Sequence, residues 1–491
     1  MEIERGLLGI RSLFGTAENQ SLLSSTIPLP EGRDVSEVLL AEGCVDSAET
    51  ACDTDAVTVT GIFRLHVILR SAAGEVYGFT AESNVRQEAP LDGVTPAMKA
   101  VASVQVPECR AEPDGTKLKL SAVIETAALV LAPVETPFVT DILNAPNIEK
   151  CRKTISVDRR VQLAGTSVRA REELDALDTA RILLYRGAVQ TDAVTRTGAS
   201  MALASGTVTV TAIVETTGGD IAERIYPLPF RAELELPFAE DTSVSAGIES
   251  LNLSAQDIGF GILDAEASVR LTFYGREQTS VTALSDAYAT DGAVTAVGER
   301  VMRAVYCGTE QRTVCVRENV SVPKHLPDAS RAVAAAVMPV VTGTGAENGK
   351  LRVDAMLLTA ILYRTGDGRL IGFTEDVPTV FELPASHGEN AVVSLTALSA
   401  ETGGTGRTLT LDCCLFASAV LYDGVETALV SDVLSGGGTC PHHGILIYCA
   451  EAGETVWDIG KRFSLPAQRV TAFNPTLNDP LHEGEQVLLM R

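Results

Sequence analysis

Several blocks of this sequence occur more than once and in the same order, which confines the chain to a fold assembled from copies of one unit. The run Asp34-Val-Ser-Glu-Val38-Leu39-Leu40-Ala-Glu-Gly43 aligns without gaps on Asp178-Thr-Ala-Arg-Ile182-Leu183-Leu184-Tyr-Arg-Gly187. It aligns more weakly on the segment starting Asp328-Ala-Ser-Arg-Ala332-Val333. Gly74-Glu-Val-Tyr-Gly78-Phe79-Thr80 matches Gly368-Arg-Leu-Ile-Gly372-Phe373-Thr374. Val134-Glu-Thr-Pro-Phe-Val139-Thr-Asp141 matches Val425-Glu-Thr-Ala-Leu-Val430-Ser-Asp432, and Leu284-Ser285-Asp286 closes the middle copy. That middle copy lacks Gly-Phe-Thr and carries an insertion before Val208. Loop-length drift between ordered blocks is the mark of common descent, so three domains are expected over residues 25–145, 168–290 and 318–436, behind an N-terminal segment 1–24.

Within each copy the pattern reads as strands. Val57, Val59 and Gly61 alternate with Thr58 and Thr60, and Leu118 and Leu120 alternate with Lys117 and Lys119, the period of a half-buried strand. Turn formers such as Gly74, Gly368 and Asp114-Gly115 separate the runs. A mainly β fold follows: three tandem all-β, sandwich-like domains. Asp34, Asp178 and Asp328 are placed to cap a short opening helix, and Asp141, Asp286 and Asp432 to serve turns, in preference to metal or acid-base work. After Ser435-Gly-Gly-Gly-Thr439 a linker, residues 437–444, leads to a different module, 445–491. There Leu446–Cys449 suits a strand, Val456–Phe463 a helix with Val456, Ile459, Gly460 and Phe463 on one face, Pro466 the start of a second helix, and Gln486–Met490 a closing strand. The order is βααβ.

Composition narrows the function. The 491 residues carry a formal charge of -25, a field that repels nucleic acid and anionic lipid surfaces. Met1-Glu2-Ile3-Glu4 lacks the basic and apolar stretches of a secretory signal, and the longest apolar run, Ala332 to Val341, is about half the ~18 to 20 residues that span a bilayer. A cytoplasmic protein with reduced thiols is therefore expected, with Cys413 and Cys414 facing opposite sides of a strand and serving core packing. Gly343-Thr-Gly345-Ala-Glu-Asn-Gly349-Lys350 is too widely spaced for a phosphate loop and has Leu351 where Ser or Thr is needed. Cys440, His442, His443 and Cys449 could gather around zinc, but their spacing fits no common finger, so a solvated linker is the preferred reading and no metal is assigned. None of the six histidines is matched across the copies, and no catalytic residue or cofactor is expected.

Tyr448, Gly453, Thr455, Trp457, Ile459, Phe463, Asn474, Pro475 and Gly484 fall in the order of the pattern of a LysM domain, with Glu454 in place of the more usual Asp. The module resembles that family, and the resemblance implies a shallow binding groove on Gly453, Glu454, Thr455, Val456, Asn474, Pro475, Thr476 and Leu477, used in the family for N-acetylglucosamine-containing glycans. For Gly453 and Trp457 a purely structural role stands beside the binding one. Over nearly its full length the chain resembles the SPOCS/LysM spore coat morphogenesis proteins of endospore-forming bacteria. The resemblance implies a non-enzymatic scaffold in the mother-cell cytoplasm, peripheral at the forespore surface, linking a SpoIVA-like coat ATPase to other coat proteins, with the LysM as a docking module. The alternatives are a peptidoglycan or GlcNAc-binding sensor and an accessory to a wall hydrolase.

Overall fold

A computed structural model of the chain describes residues 1–176, 178–198, 200–237, 240–257, 261–385, 387–436 and 444–490. It is mainly β, built from antiparallel sheets, with two short helices near the C-terminus. Among the described residues no helix is long and apolar enough to cross a membrane.

The first stretch contains β1 (Glu2–Pro28), β2 (Glu37–Asp53), β3 (Ala56–Arg70), β4 (Val76–Pro90), β5 (Lys99–Asp114) and β6 (Lys117–Leu143). Strands β2, β3 and β4 form one meander, and β6 sits between β1 and β5 in a second sheet. The next stretch follows the same order with β7 (Ile148–Asp175), β8 (Thr179–Thr191), a two-residue β9 (Thr195–Arg196), β10 (Met201–Thr216), β11 (Ile221–Glu235), β12 (Glu240–Asp257) and β13 (Ile262–Ala289). So does the third, with β14 (Ala293–Ser321), β15 (Ala329–Glu347), β16 (Lys350–Thr365), β17 (Leu370–Pro384), β18 (Asn390–Gly403) and β19 (Thr408–Gly436).

In each stretch the meander packs on the long-strand sheet. Phe63, Leu65, Val67 and Leu69 of β3 meet Leu118, Leu120, Ala122 and Ile124 of β6 in a single buried cluster. Spacing of two along both strands puts these residues on the faces that meet, and burying such a Leu or Ile side chain contributes about 1.5–3 kcal/mol. Beyond that cluster β1 and β6 continue as a two-stranded ribbon, as do β7 with β13 and β14 with β19. Residues 1–24, expected as a separate segment, thus form most of β1, and the stretches ahead of 168 and 318 likewise lie in β7 and β14.

Strands occupy the places where a capped opening helix was expected. β2, β8 and β15 each skip one residue in their pairing register, at Leu39, Leu183 and Val333. Such a bulge turns two adjacent side chains to the same side, so a contiguous apolar pair that imitates a helix face serves a strand instead. Those pairs, Leu39-Leu40, Leu183-Leu184 and Val333-Ala334, join Ile68, Ile213 and Leu362 in a core shared by all three stretches. The aspartates are not helix caps: Asp178 pairs with Arg224, Asp328 with Arg407, and the Asp34 carbonyl accepts from Tyr77.

This hub closes as a ring. Gly78 of β4 lies against β8, where an added Cβ would be 2.6 Å from the Leu183 carbonyl oxygen, and Gly372 of β17 lies still closer to the Leu39 carbonyl of β2. The glycine of Gly-Phe-Thr therefore marks a strand-to-strand approach that a side chain would block. Ion pairs encircle the contact: Glu75 holds Arg181 at 2.8 Å, and Asp220 holds Arg331 at 2.6 Å and Arg364 at 2.7 Å. At the far end, matched ribbon residues Val139, Leu284 and Val430, with Ile142, Ala287 and Val433, form a second three-way core.

One expectation about thiols is overturned. Cys315 and Cys414 face each other across β14 and β19 with Cα atoms 4.0 Å apart and form a disulfide, while Cys413 on the opposite side is buried as expected. The two are 99 residues apart, so no local spacing announces the bond.

Candidate functional site

Three aspartates at matched places in the ribbons lead to the C-terminal module. Asp141, Asp286 and Asp432 each sit beside a skipped residue, and each carboxylate accepts a hydrogen bond from the next backbone N–H, at 2.7, 2.9 and 2.9 Å. Each then takes a second partner. Asp141 takes Lys150 and Arg152, whose hydrogen bonds, the Lys150 bond foremost, lower its pKa to about 2. Asp432 takes Arg5 at 2.6 Å. In register, Arg5 stands opposite Val139 and Arg152 opposite Leu284, whereas the third position, opposite Val430, is Gly298. The ribbons thus supply no cation from that position to Asp286, and the C-terminal module supplies one.

The module comprises β20 (Ile445–Cys449), α1 (Val456–Phe463), α2 (Ala467–Phe473) and β21 (Gln486–Met490). Thr455 caps α1 through a reciprocal capping box with Asp458, and Val456, Ile459, Leu465, Val470, Leu481, Val487 and Leu489 form the core. Lys461 Nζ reaches Asp286 at 2.7 Å and Trp457 Nε1 donates to the same carboxylate at 2.9 Å. Trp457 packs edge-on against Tyr288 with ring centroids 4.8 Å apart, and the Tyr288 hydroxyl donates to the Leu465 carbonyl at 2.8 Å. Gly460 leaves room for that hydroxyl, which an added Cβ would displace.

The loop that carries Gly453, Glu454 and Thr455 is held through residues beyond the Asn474–Leu477 run. Leu481 N donates to the Glu454 carbonyl at 2.7 Å and Val456 N to Asp479 at 3.3 Å, so the loop before α1 lies against the loop after α2. Gly453, Pro475 and Thr476 are exposed, and Glu454, Thr455, Asn474 and Leu477 are half-buried. Val456 is buried in the core, so its side chain is not on the groove surface. Asn474 is fully used: its amide donates to the carbonyls of Val470 and Leu488 and accepts from Leu488 N, fixing the end of α2 to β21. Glu454 accepts from Tyr448 and Glu451 N and pairs with Arg462; the backbone bond foremost lowers its pKa, so it is a carboxylate at neutral pH.

A second polar cluster is buried near the hub. Arg186 binds Glu42 at 2.8 Å and approaches Glu223 at 3.7 Å, and Glu223 occupies the place in β11 that Gly78 and Gly372 occupy in β4 and β17. Burial pushes Glu223 up to about 8 and His66 down to about 3. Cys44 lines the same pocket and its thiol donates to Asp46 at 3.8 Å, but burial, with the charges of Asp46 and Glu42, pushes its pKa well up and keeps it protonated. Among the described residues no three His, Cys, Asp or Glu side chains converge to hold a metal. Cys440, His442 and His443 lie outside the described residues.

No family model matches the chain, and no curated protein matches it.

Proposed function

We propose that this protein is a non-enzymatic scaffold of spore coat assembly, of the SPOCS/LysM kind, whose three β units are copies of one ancestral repeat and whose C-terminal module is a LysM domain used for docking. On this reading it works in the mother-cell cytoplasm at the forespore surface and joins a SpoIVA-like coat ATPase to other coat proteins. The observation that carries the reading is the division of labour on the C-terminal module. Trp457, Gly460, Lys461 and Leu465 are spent on the β13 ribbon, while Gly453, Pro475 and Thr476 stay exposed. A module held on the β body by these contacts, with exposed loop residues besides, suits presentation of a partner site. The matched strand orders and the shared hub support descent of the three units from one repeat.

The test is titration calorimetry of the full chain against the SpoIVA-like ATPase and against chitin oligomers. Pro475→Asp and Thr476→Asp are expected to weaken ATPase binding by at least about 1.4 kcal/mol, or tenfold, with the fold unchanged. Unchanged ATPase affinity together with lost oligomer binding replaces docking with glycan recognition.

A further inference from the structure

The three stretches enclose a cavity of about 540 Å³ between the hub and the ribbon cores, and its walls run against the charge of the protein. The chain as a whole is strongly acidic, yet Arg11, Lys99, Arg159 and Arg160 line this cavity and Asp158 is its one carboxylate. Asp158 is engaged elsewhere, accepting from Gln278 at 3.1 Å. Among the described residues none of the four cations forms an ion pair. At the hub, by contrast, Arg70, Arg181, Arg331 and Arg364 each face a carboxylate.

Packing explains the placement of these groups only in part. Arg159 donates to the Gly9 carbonyl, and Arg160 stacks 3.5 Å over the Tyr274 ring. Arg11 Nη1, Arg159 Nε and Arg160 Nε are buried without a hydrogen-bond partner. Burial, with the charge of Arg159 adding to it, lowers the pKa of Arg11. Gathering like charges in a partly desolvated space costs free energy unless an opposite charge shares the space. The cavity also presents the Ser243 hydroxyl, buried without a hydrogen-bond partner, which suits an oxygen acceptor.

We propose that this cavity is a binding site for a small polyanion bearing several oxyanion groups, held by Arg11, Lys99, Arg159 and Arg160. The anion neutralises the cluster and ties β1 and β5 of the first stretch to β7 of the second, so its occupancy stiffens their junction.

Calorimetry on the full chain tests this with two probes, sodium tripolyphosphate and citrate, at low and high ionic strength. One saturable site per chain is expected, weaker at high salt. Lys99→Gln and Arg160→Gln are each expected to lower affinity about tenfold, the value of one charge-assisted hydrogen bond, while Lys324→Gln, at an exposed cation far from the cavity in sequence, changes nothing. Lys99 is exposed at the wall, so its variant remains informative if Arg160→Gln disturbs folding. Preference for tripolyphosphate assigns phosphate chemistry to the site, and preference for citrate assigns carboxylate chemistry. Absence of binding with both probes, or an equal loss with Lys324→Gln, overturns the proposal.

Discussion

Lys461 Nζ lies 2.7 Å from the Asp286 carboxylate, completing at the second ribbon the ion pair that Arg152 makes with Asp141 and Arg5 makes with Asp432. Trp457 is the one tryptophan of the chain, so its fluorescence reports this contact directly. Tyr288→Ala removes the edge-on ring pair, worth about 1 kcal/mol, and is expected to shift emission to longer wavelength. Lys461→Ala acts on a half-exposed pair worth about 0.5 kcal/mol and shifts it less. Emission unchanged in Tyr288→Ala would contradict the docked arrangement.

Gly372→Ala is expected to be among the most destabilising single-methyl additions in the molecule. The new Cβ collides with the Leu39 carbonyl, a backbone group that cannot swing away, and a cost of about 3 kcal/mol or more is expected. Gly78→Ala costs less, and Gly345→Ala, in open space, changes stability by about 0.5 kcal/mol or less. Thermal melts of the three variants give the order directly.

Stability should decline on both sides of a neutral-to-acidic optimum for different reasons. Glu223, pushed up to about 8, keeps its proton in the folded state where the unfolded chain has lost it, so its contribution is present below about 4.5 and lost as pH rises toward 8. His66, pushed down to about 3, is neutral when folded, so its contribution is present above about 6.5 and lost as pH falls toward 3. Glu223→Gln should flatten the alkaline limb of a melting-temperature profile and leave the acidic limb in place. A parallel shift of the whole profile would refute the assignment.

The Cys315–Cys414 bond should stabilise the third stretch by about 2–4 kcal/mol through restriction of the unfolded chain. Reductant is expected to lower the melting temperature of the parent and leave that of Cys315→Ser unmoved. An equal drop in both proteins would place the effect elsewhere.

Much of the sheet structure could be read from sequence because period-2 alternation, as at Leu118 and Leu120 between exposed Lys117 and Lys119, encodes one buried face. Turns at Gly74 and Gly368, both at positive φ, could be read for the same local reason. The first strands, β1, β7 and β14, escaped because their partners lie far along the chain and their halves carry different patterns: the outer ribbon ends are mixed, with half-buried residues in succession. The run Leu39-Leu40 resembled a helix face because a bulge breaks alternation. In the C-terminal module the βααβ order of elements followed from helix capping and Asn474-Pro475. The use of Trp457 did not, since nothing local distinguishes a residue turned toward its own loop from one turned toward β13. Val456 was placed on the groove by sequence position, while its burial is set by the module core.

The pairing at the hub also governs what isolated pieces of the chain would do. Glu37, Arg181 and Arg331 occupy matched places at the starts of β2, β8 and β15, and Glu75 and Asp220 face the cation of the following stretch. Three copies of the first stretch alone would bring Glu75 against Glu37, an acid against an acid, although Leu39, Leu40 and Ile68 would still seek cover. Association in trans is thereby penalised at the very surface whose apolar centre promotes it, and self-recognition is confined to the order written along a single polypeptide.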